Sequence, residues 1–304
     1  TNLYISVVIT LSTLYTYKKL KNKQMTEYKK ETDQELLMAM QRVEEECFID
    51  INKKIELPPV AISYGTKEIT MPDGQVKEIP VPIGTYGNFS FIQAPPKSMK
   101  TFFASLLGSA YCNPEGNYTM GMNSFRGDRE FIHIDTEQSD WHSQRVMKRI
   151  QWMNKGVNLD HYHTFALRRE VCSSRVSFIE HYLTKLHDDG KKIGLVIIDG
   201  IADLIKNVNN EEEASYITQK IMTWTSVFDC HIATIIHSNY GSEKPTGHLG
   251  SLLEKKTETQ IKLDKGDDGF VTATCRRGRN TPFKDFKFTL DGNGLPYIDD
   301  VNRF

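Results

Sequence analysis

Apolar residues recur along this chain in two alternating rhythms. From 57 to 82 apolar and polar positions swap around a PDG turn, which predicts a β-hairpin. Beyond it, strand patterns fall at NFSFIQ (88–93), EFIHID (130–135), YHTFAL (162–167), IGLVIID (193–199) and HIATIIH (231–237). Helix patterns fill the gaps: Thr101 to about Tyr111, then SDWHSQRVMKRIQWM, RVSFIEHYLTKLHDD and ASYITQKIMTWTSVFD. IGLVIID and HIATIIH are almost wholly apolar, as strands covered on both faces must be. The alternation predicts an α/β fold, a mostly parallel sheet flanked by helices. TETQIKLDKGDDGFVTATCRRG reads instead as two strands around a KGDDG turn, an antiparallel C-terminal ending.

Ahead of the hairpin, TDQELLMAMQRVEEE has the spacing of an amphipathic helix, with Thr32 or Asp33 as its N-cap. The expected organisation is an N-terminal helix and β-hairpin over 25–79 and one large domain over 80–304. Residues 1–24 stand apart. LYISVVITLSTLY (3–15) is apolar and runs into KKLKNK, but falls short of the roughly 20 residues that span a bilayer. MTEYKKETDQELL reads as a natural start at Met25. Residues 1–24 are therefore expected to be an extension outside the functional unit; a membrane-facing helix or a structured part are the alternatives. No stable membrane partner is expected.

Composition narrows the picture modestly. The 304 residues, 39% hydrophobic and 25% charged, can bury a sizeable core. A net charge of −1 supplies no bulk attraction to nucleic acid. A DNA-binding role needs a local basic surface, or one built by oligomerisation. Five cysteines without a CxxC pair point to a reducing, cytoplasmic compartment rather than to disulfides or zinc.

Chemistry concentrates where strands end. A phosphate-binding loop, G-x-x-x-x-G-K-[ST], aims backbone N–H groups and a helix N-terminus at phosphates, adds a lysine, and holds Mg²⁺ with a hydroxyl. The pattern maps onto Ala94-Pro95-Pro96-Lys97-Ser98-Met99-Lys100-Thr101, with Phe102 next. Lys100 and Thr101 hold their places, while Ala94 and Met99 replace the glycines. If the second glycine position requires positive φ, Met99 costs on the order of 1 kcal/mol. Its side chain could also crowd a phosphate. Lys97 adds charge, and the paired prolines stiffen the turn.

About a hundred residues on, LVIID ends in Asp199, placed to act on Mg²⁺ beside Thr101. FIHIDTEQ sets Asp135 and Glu137 at the C-terminal edge of another strand, where open α/β sheets bind ligands. Glu137 is the candidate to activate water; the alternative is a helix cap. His133, Asp135 and Glu137 share a period of two, but His133 lies inside its strand, against a metal trio. His237 ends a further strand, placed to sense a phosphate.

The order of these pieces resembles the RecA-type P-loop ATPases, and more narrowly the hexameric, DnaB-like replicative helicases of plasmids, phages and mobile elements. The similarity spans roughly 80–290. It rests on APPKSMKT, FIHIDTEQ, GLVIIDGIADL, IATIIHSNYG, HLGSLLEKKTETQIKL and TCRRGRNTP in family order. In that family a Gly-Ser turn precedes the helix and strand of the fifth stretch. The resemblance implies a RecA-like core, ATP and Mg²⁺, and a homo-oligomeric, hexameric ring acting on single-stranded DNA in replication or mobilisation. A primase or relaxase would be the partner. It also implies an arginine finger reaching a neighbour's site, with Arg276, Arg277 and Arg279 as candidates. The 239–250 loop, with Lys244, would face the DNA.

Two readings stand. In one the chain is an ATPase motor, a helicase or translocase, with Glu137, Lys100, His237 and an arginine in catalysis. In the other it is a regulatory or loader protein on the same fold, nucleotide-switched or nucleotide-free, with a degenerate loop.

Overall fold

The computed structural model describes residues 33–113, 117–238 and 244–299. The 1–24 extension and Thr32 lie outside the described residues. The chain forms two compact units that divide after Leu57. In the first, α1 (33–47) carries exposed Leu36, Leu37, Met38 and Met40.

The hairpin, β1 (Val60–Thr70) and β2 (Val76–Thr85), belongs to the second unit, so the division falls before it rather than between 79 and 80. The reason is pairing and burial. β1 also pairs with β4 (Met122–Ser124), a short strand that gives no sequence signal. Ile62, Val81 and Ile83 then pack into the main core.

The sequence then alternates as its rhythm predicts. β3 (Phe89–Ala94) leads to α2 (Lys100–Cys112), and β5 (Glu130–Asp135) to α3 (Asp140–Met153). β6 (Tyr162–Ala166) precedes α4 (Cys172–Asp188), and β7 (Ile193–Asp199) precedes α5 (Glu211–Val227). β8 (His231–His237) is followed by α6 (Gly247–Lys256), β9 (Thr259–Lys265) and β10 (Val271–Gly278). Two further strands, β11 (Phe286–Leu290) and β12 (Pro296–Asp299), extend the antiparallel ending. Gly250 and Ser251 lie inside α6 rather than in a turn before it.

Among the described residues β2, β1 and β4 form one sheet, and nine strands form the other in the order β12-β11-β10-β9-β3-β8-β7-β5-β6. From β9 to β6 every neighbour is parallel, and from β9 to β12 every neighbour is antiparallel. Successive residues of the central strands feed two cores. Leu195 and Ile197 face the core built on α2 and α3; Val196 and Ile198 face the one built on α4, α5 and α6. That division explains why β7 and β8 are almost wholly apolar. Each such side chain contributes roughly 1.5–3 kcal/mol on burial. No helix among the described residues is long and apolar enough to cross a membrane.

Parallel register brings the strand ends level. Ala94 pairs beside His237, and Asp135 beside Asp199, itself beside Ile235. At the other end of the sheet, buried Glu258 accepts from Thr85 N at 2.9 Å and from Thr85 Oγ1 and Asn280 Nδ2, each at 2.7 Å.

Candidate functional site

The segment after Ala94 forms an open turn. Lys97 and Met99 have φ of 63° and 62°, the left-handed backbone that glycine adopts freely. The position where the pattern calls for its second glycine thus keeps glycine geometry. Met99 packs its side chain on the hydrophobic core, turned to the protein rather than left loose over the loop. Ser98 Oγ donates to Pro95 O and ties the turn together. Phe102 N and Phe103 N both donate to Met99 O at 3.0 Å, which starts α2. The N–H groups of Ser98, Met99, Lys100 and Thr101 meet no main-chain acceptor among the described residues. An anion can take them.

Lys100 is buried, and its Nζ donates to His237 Nδ1 at 2.8 Å. His237 Nε2 lies 3.4 Å from both Lys100 Nζ and Glu137 Oε1; with Lys100 donating to Nδ1, the Nε2–H is left to Glu137. Burial lowers the Lys100 pKa, opposed by the charges of Glu137 and Asp199. The His237 hydrogen bond holds Glu137 below the usual carboxylate range. On the other side of Lys100, Thr101 Oγ1 donates to Asp199 Oδ2 at 2.9 Å. Burial, and then the charge of Asp135, raise Asp199 to about 7. A buried acid in that state gains from a cation. Thr101 and Asp199 thus fit the role of holding Mg²⁺, directly or through water.

Asp135 does different work from its neighbour Glu137. Its carboxylate accepts from Glu137 N (3.1 Å), Gln138 N (2.9 Å), Gln138 Nε2 (3.0 Å) and Ser143 Oγ (2.7 Å). It therefore builds the turn that presents Glu137. Thr136 Oγ1 lies within 3.0 Å of Asp199 O, Gly200 O and Asp203 Oδ2, clamping that turn to the end of β7. Gly200, at φ 101°, is required there. A Cβ would lie 2.2 Å from Thr136 Oγ1 and 2.9 Å from Glu137 Cγ. Sequence reading missed Thr136 and Gly200, whose signal was the DTEQ and DG that follow two aligned strands. His133 is buried, its Nδ1 3.3 Å from the Tyr162 hydroxyl, and it takes no part in the cluster.

Lys100, Thr101, Glu137, Asp199 and His237 thus meet at one sheet edge. Pro95, Pro96 and Lys97 are exposed on the turn, while Ala94 is buried as the last residue of β3. Phe102 lies under the Arg149 guanidinium, 3.9 Å from its ring centre.

The three arginines are placed elsewhere. Arg277 is level with Gln260, which is level with Phe91, part-way down the sheet. It pairs with Glu254 at 3.3 Å, and Arg279 donates to Lys256 O at 2.8 Å. Arg276 and Arg277 line a cleft with Lys244 and Glu254 beside α6. Of the 239–250 segment, 239–243 lies outside the described residues. Its base is closed by a Ser238–Pro245 bridge and by Thr246 Oγ1 donating to His237 O at 2.7 Å.

A strand, an open turn and a helix carrying a buried lysine and a threonine, with an acid facing them across β8, define a P-loop nucleotide-binding domain. The AAA domain family model matches residues 82–243, more than half of the chain, and the chain belongs to that family of nucleotide-dependent ATPases. Among curated proteins no match to the chain is found.

Proposed function

We propose that the protein is a Mg-ATP-dependent motor, a helicase or translocase that works as a ring on single-stranded DNA in replication or mobilisation. The observation that carries the reading is the Lys100–His237–Glu137 chain set beside the Thr101–Asp199 pair. The open N–H groups of the turn and Lys100 would bind the β- and γ-phosphates. Mg²⁺, held by Thr101 and Asp199, would neutralise charge on those phosphates. Glu137, kept ionised by His237, would orient water and take its proton. His237 contacts both Lys100 and Glu137, and its carbonyl anchors the loop base at Thr246, so a change at the phosphates has a direct route to the 239–250 segment. Arg277 is held by Glu254 and Arg279 by Lys256 O, so a finger role of Arg276, Arg277 or Arg279 would be exercised on a neighbouring copy.

ATP turnover with and without single-stranded DNA tests the reading. Lys100→Ala should lose binding and hydrolysis together. Glu137→Gln should still bind ATP but turn it over about 100-fold more slowly or worse. A wild-type chain with no affinity for millimolar ATP would overturn the motor and leave the loader or regulator.

A further inference from the structure

The outer face of α3 has no role in the site described above, yet it presents an unusual set of side chains. Trp141 and Trp152 are 59% and 54% exposed. At 100° per residue, positions 141, 145, 148 and 152 fall within about 60° of one another, so Arg145 and Lys148 lie between the tryptophans on one stripe. Both cations are exposed, and the Arg145 guanidinium sits 5.0 Å from the centre of the Trp141 ring. The single acid of the helix, Asp140, is paired with Arg169 of the neighbouring loop. In a chain of net charge −1, this stripe carries positive charge with no acid of its own left unneutralised.

Two indoles exposed on one helix face of the chain invite a partner. Flat rings alternating with cations match one chemistry well: bases stack on the rings while the phosphates between them meet the charges. The two tryptophans are eleven residues apart, about 16 Å along the helix, a distance that an extended strand covers in a few nucleotides. We infer that the Trp141–Arg145–Lys148–Trp152 face of α3 is a track for single-stranded nucleic acid, separate from the 239–250 loop. The inference deepens the motor reading and rests on it for its purpose, because a motor needs a strand to hold.

The chain has three tryptophans, and the third, Trp224, is only 1% exposed. Quenching of intrinsic fluorescence therefore reports on this face. The full chain, without nucleotide, is titrated with oligo-dT and oligo-U of about 20 nucleotides, longer than a single binding site. Quenching is expected with one or both, and the stronger of the two names DNA or RNA as the strand. Trp141→Ala and Trp152→Ala should each weaken binding by roughly 5- to 150-fold. Arg145→Gln combined with Lys148→Gln should flatten the slope of log affinity against log salt by about 1.4. No quenching by either oligonucleotide overturns the inference, as do alanine variants that bind within about twofold of wild type. Sedimentation of the same variants guards against a different partner: a change in particle size with unchanged affinity makes the face a contact between copies, and again overturns it. If wild type lacks ATP turnover but the quenching and its loss persist, the motor reading falls and the track stands.

Discussion

The Thr101 hydroxyl donates to Asp199 Oδ2 across 2.9 Å, although the two lie 98 positions apart in the chain and β8 stands between β7 and the strand, β3, that leads to α2. This pair is a hydroxyl and a buried acid whose burial favours taking up a cation. Asp199→Asn keeps the shape and removes the charge. Turnover with Mg²⁺ should fall by at least about 100-fold, while the fold is retained. Phosphate release, with thermal unfolding as the control, checks both halves.

Met99 inverts the usual ranking of small residues. Its left-handed backbone costs about 1–2 kcal/mol for any residue with a Cβ, and its side chain returns part of that by packing on the core. Met99→Ala loses the packing and keeps the cost; Met99→Gly loses the packing and removes the cost. The glycine variant should be more stable than the alanine variant by about 1 kcal/mol, measured from urea midpoints. Equal midpoints would mean that the turn is not held in this conformation.

Asp135 is a positioning residue. Asp135→Ala leaves the N–H groups of Glu137 and Gln138 and the Ser143 hydroxyl without their acceptor. The turn presenting Glu137 should loosen, while the phosphate loop on β3 and α2 is untouched. The expected pattern is a fall of 10-fold or more in kcat, to an order of magnitude, with KM for ATP changed far less. Asp135→Asn, which keeps one acceptor oxygen, should recover part of the rate. A raised KM with kcat preserved would contradict this assignment.

His133 gives a pH dependence. Burial lowers its pKa well below the usual histidine range. The unfolded chain therefore takes up a proton at a higher pH than the folded one. The stability that its neutral form contributes is complete above about pH 6.5, the unfolded value, and is lost as pH falls through the folded value. His133→Gln cannot titrate, so its urea midpoint should decline less than that of wild type between neutral and mildly acid pH.

The alternating rhythm made the parallel core legible. EFIHID, IGLVIID and HIATIIH occupy β5, β7 and β8 with unchanged limits, because strands buried on two faces leave a run that few other elements imitate. The meeting of the candidate residues was legible for a related reason: Lys100, Asp199 and His237 end or follow such strands, and parallel register makes strand ends neighbours. What stayed hidden depends on tertiary pairing. β4 is three residues long and exists through its bridge to β1. β11 and β12 follow a stretch without periodicity, and Thr136 and Gly200 have meaning only once β5 lies beside β7. The arginines of TCRRGRNTP were read by order along the chain, and order does not say how far down a strand a side chain sits.

The carboxylate of Glu258 is gripped from two directions, by Thr85 at the foot of β2 and by Asn280 next to Arg279. A single acid therefore moors the root of the N-terminal hairpin and the turn that carries the basic side chains. Removing that carboxylate would therefore free both attachments at once.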